Sequence, residues 1–188
     1  MHILASTSGI ISEQNDAIDL CQSPGDIVIL SAADSDLACL SAAFQRLEPG
    51  KHSLRLANLL QLNHNLSVDL YIEKTLCHAR LIIIRLIGGR NYWPYGLSEI
   101  QAVAKKFDIR LVVIPGDDKP DLELTSYSTV SPEIIERCWM YFTHGGIDNA
   151  LNLLIYANSI LGNKQPWKEP APLLKAGFYW PSIDLPSF

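Results

Sequence analysis

The sequence predicts an α/β fold: an open, mainly parallel sheet with helices on both faces, in a doubly wound, flavodoxin- or Rossmann-like topology. Two observations predict it. Apolar runs without polar alternation, such as Asp26–Leu30 and Leu81–Ile84, are typical of strands that are buried on both faces. Segments with helical periodicity separate these runs, as they do in chains that are built from βα units.

Pro and Gly residues divide the chain into its expected elements. We expect strands over residues 1–5, 26–30, 54–60, 80–84, 109–114 and 176–180. We expect helices over residues 12–20, 34–44, 67–77, 97–106 and 132–144, and a last helix from about residue 148 to Gly162. Asp34 is the expected N-cap of the second helix. Pro94 suits the first turn of the fourth helix, because its missing N–H would be unpaired there anyway.

The expected domain organisation is one α/β domain over residues 1–162, followed by a Pro-rich linker. Three prolines fall within residues 163–172, and proline cannot continue a helix. The apolar side chains that follow residue 180 show no regular period. We therefore expect residues 163–188 to form a linker and a short strand that lead toward further domains.

The composition argues against several classes of protein. Hydrophobic residues make up 48% of the chain and charged residues 19%, which is too apolar for a disordered chain. The net charge is −5 without any run of Lys or Arg, so nucleic acid is not an expected partner. No window approaches the roughly 18 apolar residues of a membrane span, and no signal peptide is recognisable, so we expect a cytoplasmic protein. The four cysteines lack zinc spacing, and we expect reduced, buried thiols.

The segment Arg85–Gly96, RLIGGRNYWPYG, is the first candidate for a functional site. It follows a run that is expected to be a buried parallel strand, so it leaves the carboxyl end of that strand. In open α/β sheets ligands bind at this edge, where loops and helix N-termini converge with free N–H groups.

Two kinds of ligand contact are open for this segment. The glycine pair 88–89 and Arg90 can hold an anion, or the glycine pair can simply permit a tight turn. Tyr92, Trp93 and Tyr95 can stack on a flat ligand, or they can cap the end of the sheet. The phosphate-binding pattern G-x-x-x-x-G-K-[ST] is absent from the sequence, so ATP hydrolysis by this chain is not expected.

Further polar candidates lie outside this segment. Asp117, Asp118 and Asp121 can attract a divalent cation, but their spacing is not that of a calcium loop, and such a turn uses carboxylates to bond backbone N–H groups. We therefore expect no metal site. His144 is the best placed of five histidines to act as a base or ligand, and it can equally cap the end of its helix. No nucleophile motif assigns catalytic residues.

Five blocks of the sequence resemble a known family. They are similar, in the same order, to the amino-terminal region of the large subunits of the CobN and magnesium-chelatase H-subunit family. The resemblance covers nearly the whole chain, and the blocks RLIGGRNYWPYG and IPGDDKPDLEL are specific to it. The blocks lie at residues 29–37, 85–96, 114–124, 144–156 and 176–181.

The resemblance implies that the chain is an N-terminal domain of a much longer, ATP-dependent cobaltochelatase subunit. This ligase inserts cobalt into hydrogenobyrinic acid a,c-diamide during cobalamin biosynthesis. The implied partners are AAA+ ATPase subunits, the remainder of the large subunit and the corrinoid substrate. Cobalt and ATP are used by the whole complex, whereas the isolated chain is expected to bind no cofactor and to be inactive. The alternative within the family is a magnesium-chelatase subunit that acts on protoporphyrin IX.

Three roles for the domain follow as hypotheses. The carboxyl edge can touch the macrocycle, or the domain can act only in docking, positioning the subunit or recruiting the ATPase through an exposed apolar patch. A free-standing small-ligand domain of flavodoxin-like shape is the third hypothesis. The candidate contact residues are Arg85, Gly88, Gly89, Arg90, Tyr92, Trp93, Tyr95, Asp117, Asp118 and His144.

Overall fold

In the described part of the chain, four parallel strands form a central sheet. A computed structural model describes residues 16–48 and 50–172. The strands are β1 (Ile27–Ser31), β2 (Leu54–Asn58), β3 (Leu81–Leu86) and β4 (Arg110–Pro115). They are hydrogen-bonded in the order β2-β1-β3-β4, which matches the first four strands of the flavodoxin-like order. The expected open, doubly wound α/β class is confirmed.

Six helices connect and flank these strands in the described part of the chain. They are α1 (Asp34–Gln45), α2 (Asn65–Lys74), α3 (Pro94–Lys106), α4 (Leu122–Thr125), α5 (Pro132–His144) and α6 (Ile147–Ile160). Short 3₁₀ turns lie at Leu59–Leu62, Leu76–His78 and Arg90–Tyr92.

The helices cover both faces of the sheet, which explains why its strands lack polar alternation. Alternate residues of β1 point to opposite faces: Ile27 and Ile29 join one buried cluster with α1, α5 and α6, while Val28 and Leu30 join another with α2 and α3. All five residues of β1 are buried. Each face therefore needs an apolar side chain, and the sequence becomes a continuous apolar run.

Several element boundaries differ from the sequence expectation. Asp34 is the first residue of α1 and Ala33 is its N-cap, because the Asp34 carboxylate instead accepts a hydrogen bond from Asn58 Nδ2 at 2.7 Å. Strand β2 ends at Asn58, whose side chain accepts from the Leu60 N–H and starts a 3₁₀ turn. Residues 16–20 are not helical. The expected strands at 1–5 and 176–180, and the rest of the helix at 12–20, lie outside the described residues.

Local side-chain caps set the bounds of two further helices. His64 accepts from the Leu66 N–H through Nδ1 at 3.1 Å, so α2 begins at Asn65, earlier than expected. Asp121 caps the unexpected short helix α4 by accepting from the Leu124 N–H at 2.8 Å. Pro94 opens α3 as predicted.

Residues 163–172, named the strap below, have no regular secondary structure but pack along α5 and α6. The Trp167 ring lies 4.8 Å from the Tyr156 ring, measured between centroids. Glu169 forms an ion pair with Arg137 at 2.9 Å. The strap therefore covers one side of these helices, and the rest of the predicted linker lies outside the described residues.

The cysteines are all free thiols, but they are not all buried. Cys138 is fully buried, whereas Cys39 and Cys77 are partly buried and Cys21 is exposed, so the expected burial is wrong for Cys21. Within residues 16–48 and 50–172, no helix is both long enough and apolar enough to cross a membrane.

Candidate functional site

The strand order creates a crevice between the carboxyl ends of β1 and β3. Helix α1, which follows β1, packs on one face of the sheet, and α3, which follows β3, packs on the other. The connections therefore diverge at this point, and ligands of open α/β proteins bind where they diverge. Arg85, a predicted contact residue, lies at this crevice. It is opposite Ser31 of β1 in the register of the parallel strands.

A buried ion pair between Asp36 and Arg85 closes the floor of the crevice. Arg85 Nη1 donates to Asp36 Oδ2 at 2.5 Å, and the two side chains are only 11% and 15% exposed. Ser31 Oγ donates to the same carboxylate oxygen at 2.7 Å, and Arg85 Nη2 donates to the Gly116 carbonyl at 2.7 Å. These charge-assisted bonds tie together the ends of β1, β3 and β4.

A cavity of about 340 Å³, named the switch-point cavity below, opens on the α1 side of this pair. Its volume is at the lower end of the range for small-molecule pockets. Burial raises the pKa of the Cys39 thiol on its wall, and the Asp36 carboxylate raises it further, so the thiol is neutral. The lining comprises Ser35, Asp36, Cys39, Leu40, Arg85, Tyr141, Phe142, Thr143, Gly145, Gly146, Ala150 and Leu153.

His144 is adjacent in sequence to this cavity but does not line it. It is the last residue of α5, where Gly145 forms the C-cap with a positive φ of 67°. Its side chain is partly exposed. This position suits the capping alternative, because a protonated imidazole interacts favourably with the negative end of a helix dipole.

The glycine pair forms a tight turn beside a second, polar depression. Gly88 and Gly89 both have positive φ values, 91° and 70°, which residues other than glycine rarely adopt. The Asp121 carboxylate lies beside Gly89, and Arg90 is paired with Glu123 at 2.9 Å. The lining of the depression contains the carboxylates of Asp117 and Asp121 as well as Lys119, so a free anion would approach more negative than positive side chains, and Arg90 is not part of the lining. The structure therefore favours the tight-turn alternative over the anion site.

The carboxylates after β4 bond the backbone of their own turns. Asp117 accepts from the Lys119 N–H at 3.1 Å, Asp121 caps α4, and Asp118 is exposed. Across residues 16–48 and 50–172, no three His, Cys, Asp or Glu side chains are grouped closely enough to hold a metal ion. These bonds agree with the backbone-bonding alternative for the aspartates.

Trp93 belongs to the core, which favours the alternative that it caps the end of the sheet over stacking on a ligand. Its side chain is 5% exposed, and its Nε1–H donates to the buried Leu62 carbonyl at 2.9 Å. The ring lies directly over Gly96, where a Cβ atom would approach it to 2.1 Å. Tyr95 donates to Asp69 at 2.7 Å and packs on the same core, which leaves only Tyr92 of the three aromatics half exposed.

An apolar groove of about 460 Å³ lies between α4 and α5, and sequence reasoning did not find it. Its edge carries Leu122, which is 84% exposed. Trp139 forms a wall and is held by a hydrogen bond from its Nε1–H to the Asp117 carbonyl at 2.9 Å. The sequence feature that could have indicated the groove is the spacing of Ile135 and Trp139, which lie four residues apart and therefore on the same face of α5. The apolar lining of the groove is Pro115, Pro120, Leu122, Pro132, Ile135 and Trp139.

Comparison with known proteins gives consistent results. No protein-family model matches the chain. The chain is 45% identical over 185 residues to the aerobic cobaltochelatase subunit CobN of a Sinorhizobium species, a match that covers 98% of this chain. It is 39% identical over 182 residues to the CobN subunit of Pseudomonas aeruginosa, over 96% of this chain. The chain spans 14% of the length of each of these relatives.

A solved structure agrees with these relatives. The catalytic subunit of cobaltochelatase from Mycobacterium tuberculosis is similar with a TM-score of 0.62 and 26% sequence identity, over 79% of this chain and 11% of that chain. The resemblance that the five sequence blocks indicate is thus confirmed by sequence and by fold. The chain belongs to the CobN family of cobaltochelatase subunits.

Proposed function

We propose that the chain serves as a domain of the large subunit of an aerobic, ATP-dependent cobaltochelatase. This cytoplasmic ligase would insert cobalt into hydrogenobyrinic acid a,c-diamide in cobalamin biosynthesis. The observation that carries the proposal is the 45% identity to a CobN subunit over 98% of the chain. Both relatives are cobaltochelatase subunits, which favours the cobalt branch over a magnesium chelatase that acts on protoporphyrin IX.

In the proposed complex, the chemistry is shared among several parts. Insertion requires that water is stripped from the cation and that pyrrole protons are removed, so metal ligands and a base must converge on the macrocycle. AAA+ subunits are the proposed source of ATP hydrolysis. Cobalt and the macrocycle are substrates of the whole complex, and the domain's part is to help assemble it.

The apolar groove supports a docking role for the domain. Leu122 is 84% exposed at its edge, and burying a leucine side chain contributes about 1.5–3 kcal/mol. The surrounding prolines and Trp139 present a preformed apolar wall that loses little entropy when it is covered. Because the chain spans only 14% of the CobN relatives, the proposed occupant is another part of the same large subunit.

The docking role is tested by association with the rest of the subunit. The partner is the Sinorhizobium CobN polypeptide from which the matching segment has been removed. We expect Leu122→Asp to weaken association at least tenfold, a loss of about 1.4 kcal/mol or more. Phe107→Asp is the control, because Phe107 is an exposed apolar residue, at 49%, that lies before the amino end of β4, whereas the groove lies at the carboxyl end of that strand. Equal binding by the Leu122→Asp variant would refute the docking role.

Contact with the macrocycle is the second candidate, and the exposed ring of Tyr92 in the loop after β3 favours it. Because Trp93 is in the core, a test should follow the absorbance of hydrogenobyrinic acid a,c-diamide rather than tryptophan fluorescence. Saturable binding to the chain that Tyr92→Ala weakens, with protoporphyrin as the control macrocycle, would assign the carboxyl edge to the substrate. A lack of binding at about 1 mM, equivalent to about 4 kcal/mol, would leave docking as the role.

A further inference from the structure

The apolar groove between α4 and α5 has charged side chains of one sign in its lining. Asp121, the N-cap of α4, lies on one wall, and Glu136 of α5 lies on the other. No Lys or Arg among the residues that the structure describes belongs to the lining. The groove therefore combines apolar walls with two carboxylates, and an occupant must suit both.

Glu136 belongs to the side of α5 that forms the groove. Ile135 and Glu136 precede Trp139 by four and three residues, so the three residues share one side of the helix. Glu136 is exposed. The adjacent Arg137 contacts the strap instead, where it forms an ion pair with Glu169 at 2.9 Å. The charge of Arg137 is therefore offset by Glu169 and does not neutralise that of Glu136.

The sequence around the groove is acidic as well. Residues 115–136 contribute all of its lining except Trp139, and they contain six carboxylates but one lysine, Lys119. Lys119 lines the neighbouring polar depression rather than the groove. Arg90, from the loop after β3, is paired with Glu123 at 2.9 Å. An approaching segment therefore meets a negative potential, which favours basic side chains.

We propose that the groove receives a basic segment of the large subunit, in which Lys or Arg residues flank an apolar side chain. The apolar side chain packs between Leu122 and Trp139, and the flanking cations lie beside the carboxylates of Asp121 and Glu136. Burial of the apolar side chain supplies affinity, while the complementary charges select the segment and speed its association. This inference rests on the proposed docking function and adds the chemistry of the occupant.

The experiment measures binding of the chain to the Sinorhizobium CobN polypeptide from which the matching segment has been removed. We expect Glu136→Lys to weaken binding at least about fivefold and Glu136→Gln about twofold, because charge reversal adds repulsion to the lost attraction. Raising the KCl concentration from about 0.1 M to about 1 M shortens the Debye length from about 10 Å to about 3 Å. Binding of the parent chain should then weaken at least about threefold, and binding of Glu136→Lys should change less.

Glu73→Lys is the matched control for the change in charge. Glu73 is an exposed glutamate on α2, which packs on the opposite face of the sheet from α5. This variant should bind within about twofold of the parent chain. Glutamate and lysine are similar helix formers, so Glu136→Lys should keep the midpoint of urea denaturation of the parent chain.

Three outcomes would overturn the proposal. Equal binding by Glu136→Lys and Glu73→Lys, or binding of the parent chain that salt does not weaken, would indicate an uncharged occupant. Tighter binding by Glu136→Lys would indicate an acidic occupant. If Leu122→Asp weakens binding and Glu136→Lys does not, only this inference fails, whereas an unaffected Leu122→Asp variant refutes the docking role itself.

Discussion

The buried pair of Asp36 and Arg85 gives the sharpest prediction about the stability of the site. Replacing Asp36 by alanine leaves a guanidinium that is only 11% exposed without its counter-charge. Breaking a buried pair by removing one partner costs about 3–5 kcal/mol. Because Arg85 keeps its bond to the Gly116 carbonyl, and because both side chains retain slight exposure, we expect the lower end, about 3 kcal/mol.

The assay is urea denaturation of four chains: the parent, Asp36→Ala, Arg85→Met and the double variant. Removing both charges leaves neither uncompensated, so the double variant should lose much less stability than the sum of the single variants. The coupling free energy should be about 2 kcal/mol or more, within the range for residues in direct contact. A loss below about 1 kcal/mol for Asp36→Ala, typical of exposed pairs, would refute the argument that this pair is buried and structural.

Three further predictions concern other parts of the domain. Gly96→Ala should destabilise the protein by about 1–3 kcal/mol although alanine favours helix, because the new Cβ would lie 2.1 Å from the Trp93 ring; urea denaturation measures this, and a more stable variant would contradict it. Cys21 should react rapidly with iodoacetamide while Cys138, whose pKa burial raises to about 12, stays unmodified in the folded chain; equal rates by mass spectrometry would contradict the assigned burial. Hydrogen bonds from Ser53 lower the pKa of Asp26 below its ordinary value of 3.8. The ionised carboxylate therefore contributes fully to the free energy of unfolding above pH 3.8, and this contribution is lost as the pH falls through the lowered pKa. Asp26→Asn should flatten the acid side of the stability curve, and an unchanged acid slope would oppose this.

The sheet was predictable because its strands are buried on both faces. The apolar runs at 26–30 and 81–84 lie within one residue of where β1 and β3 begin. Pro94 marked the start of α3 because proline costs nothing at that position. Both features depend only on nearby residues, because burial on both faces appears in the sequence as an uninterrupted apolar run.

The helix boundaries that were predicted wrongly depend on which hydrogen bond a single side chain forms. Asp34 is a good N-cap residue by type, but it bonds Asn58 across the sheet edge instead. Helix α2 starts early because the His64 ring caps it, a residue type that capping rules do not favour. These hydrogen bonds depend on residues that the fold brings close, so the local propensity of the sequence does not predict them.

The site was only partly predictable for the same reason. The sequence located the carboxyl edge and Arg85, but the counter-charge of Arg85 lies 49 residues away on α1. Trp93 was a candidate ligand contact because it sits in an aromatic loop. Its burial depends on Gly96 and on the Leu62 carbonyl, which only the folded chain brings to it.

Cobalt insertion by a chimaeric subunit tests most directly whether this chain can serve as part of a cobaltochelatase. In the Sinorhizobium CobN subunit, the segment that matches this chain is replaced by the chain itself, and cobalt insertion into hydrogenobyrinic acid a,c-diamide is measured with the AAA+ subunits and ATP. We expect a rate within about tenfold of the parent enzyme, a difference of about 1.4 kcal/mol in the barrier. A chimaera that folds and assembles but inserts no cobalt would contradict the assignment of this chain to cobaltochelatase.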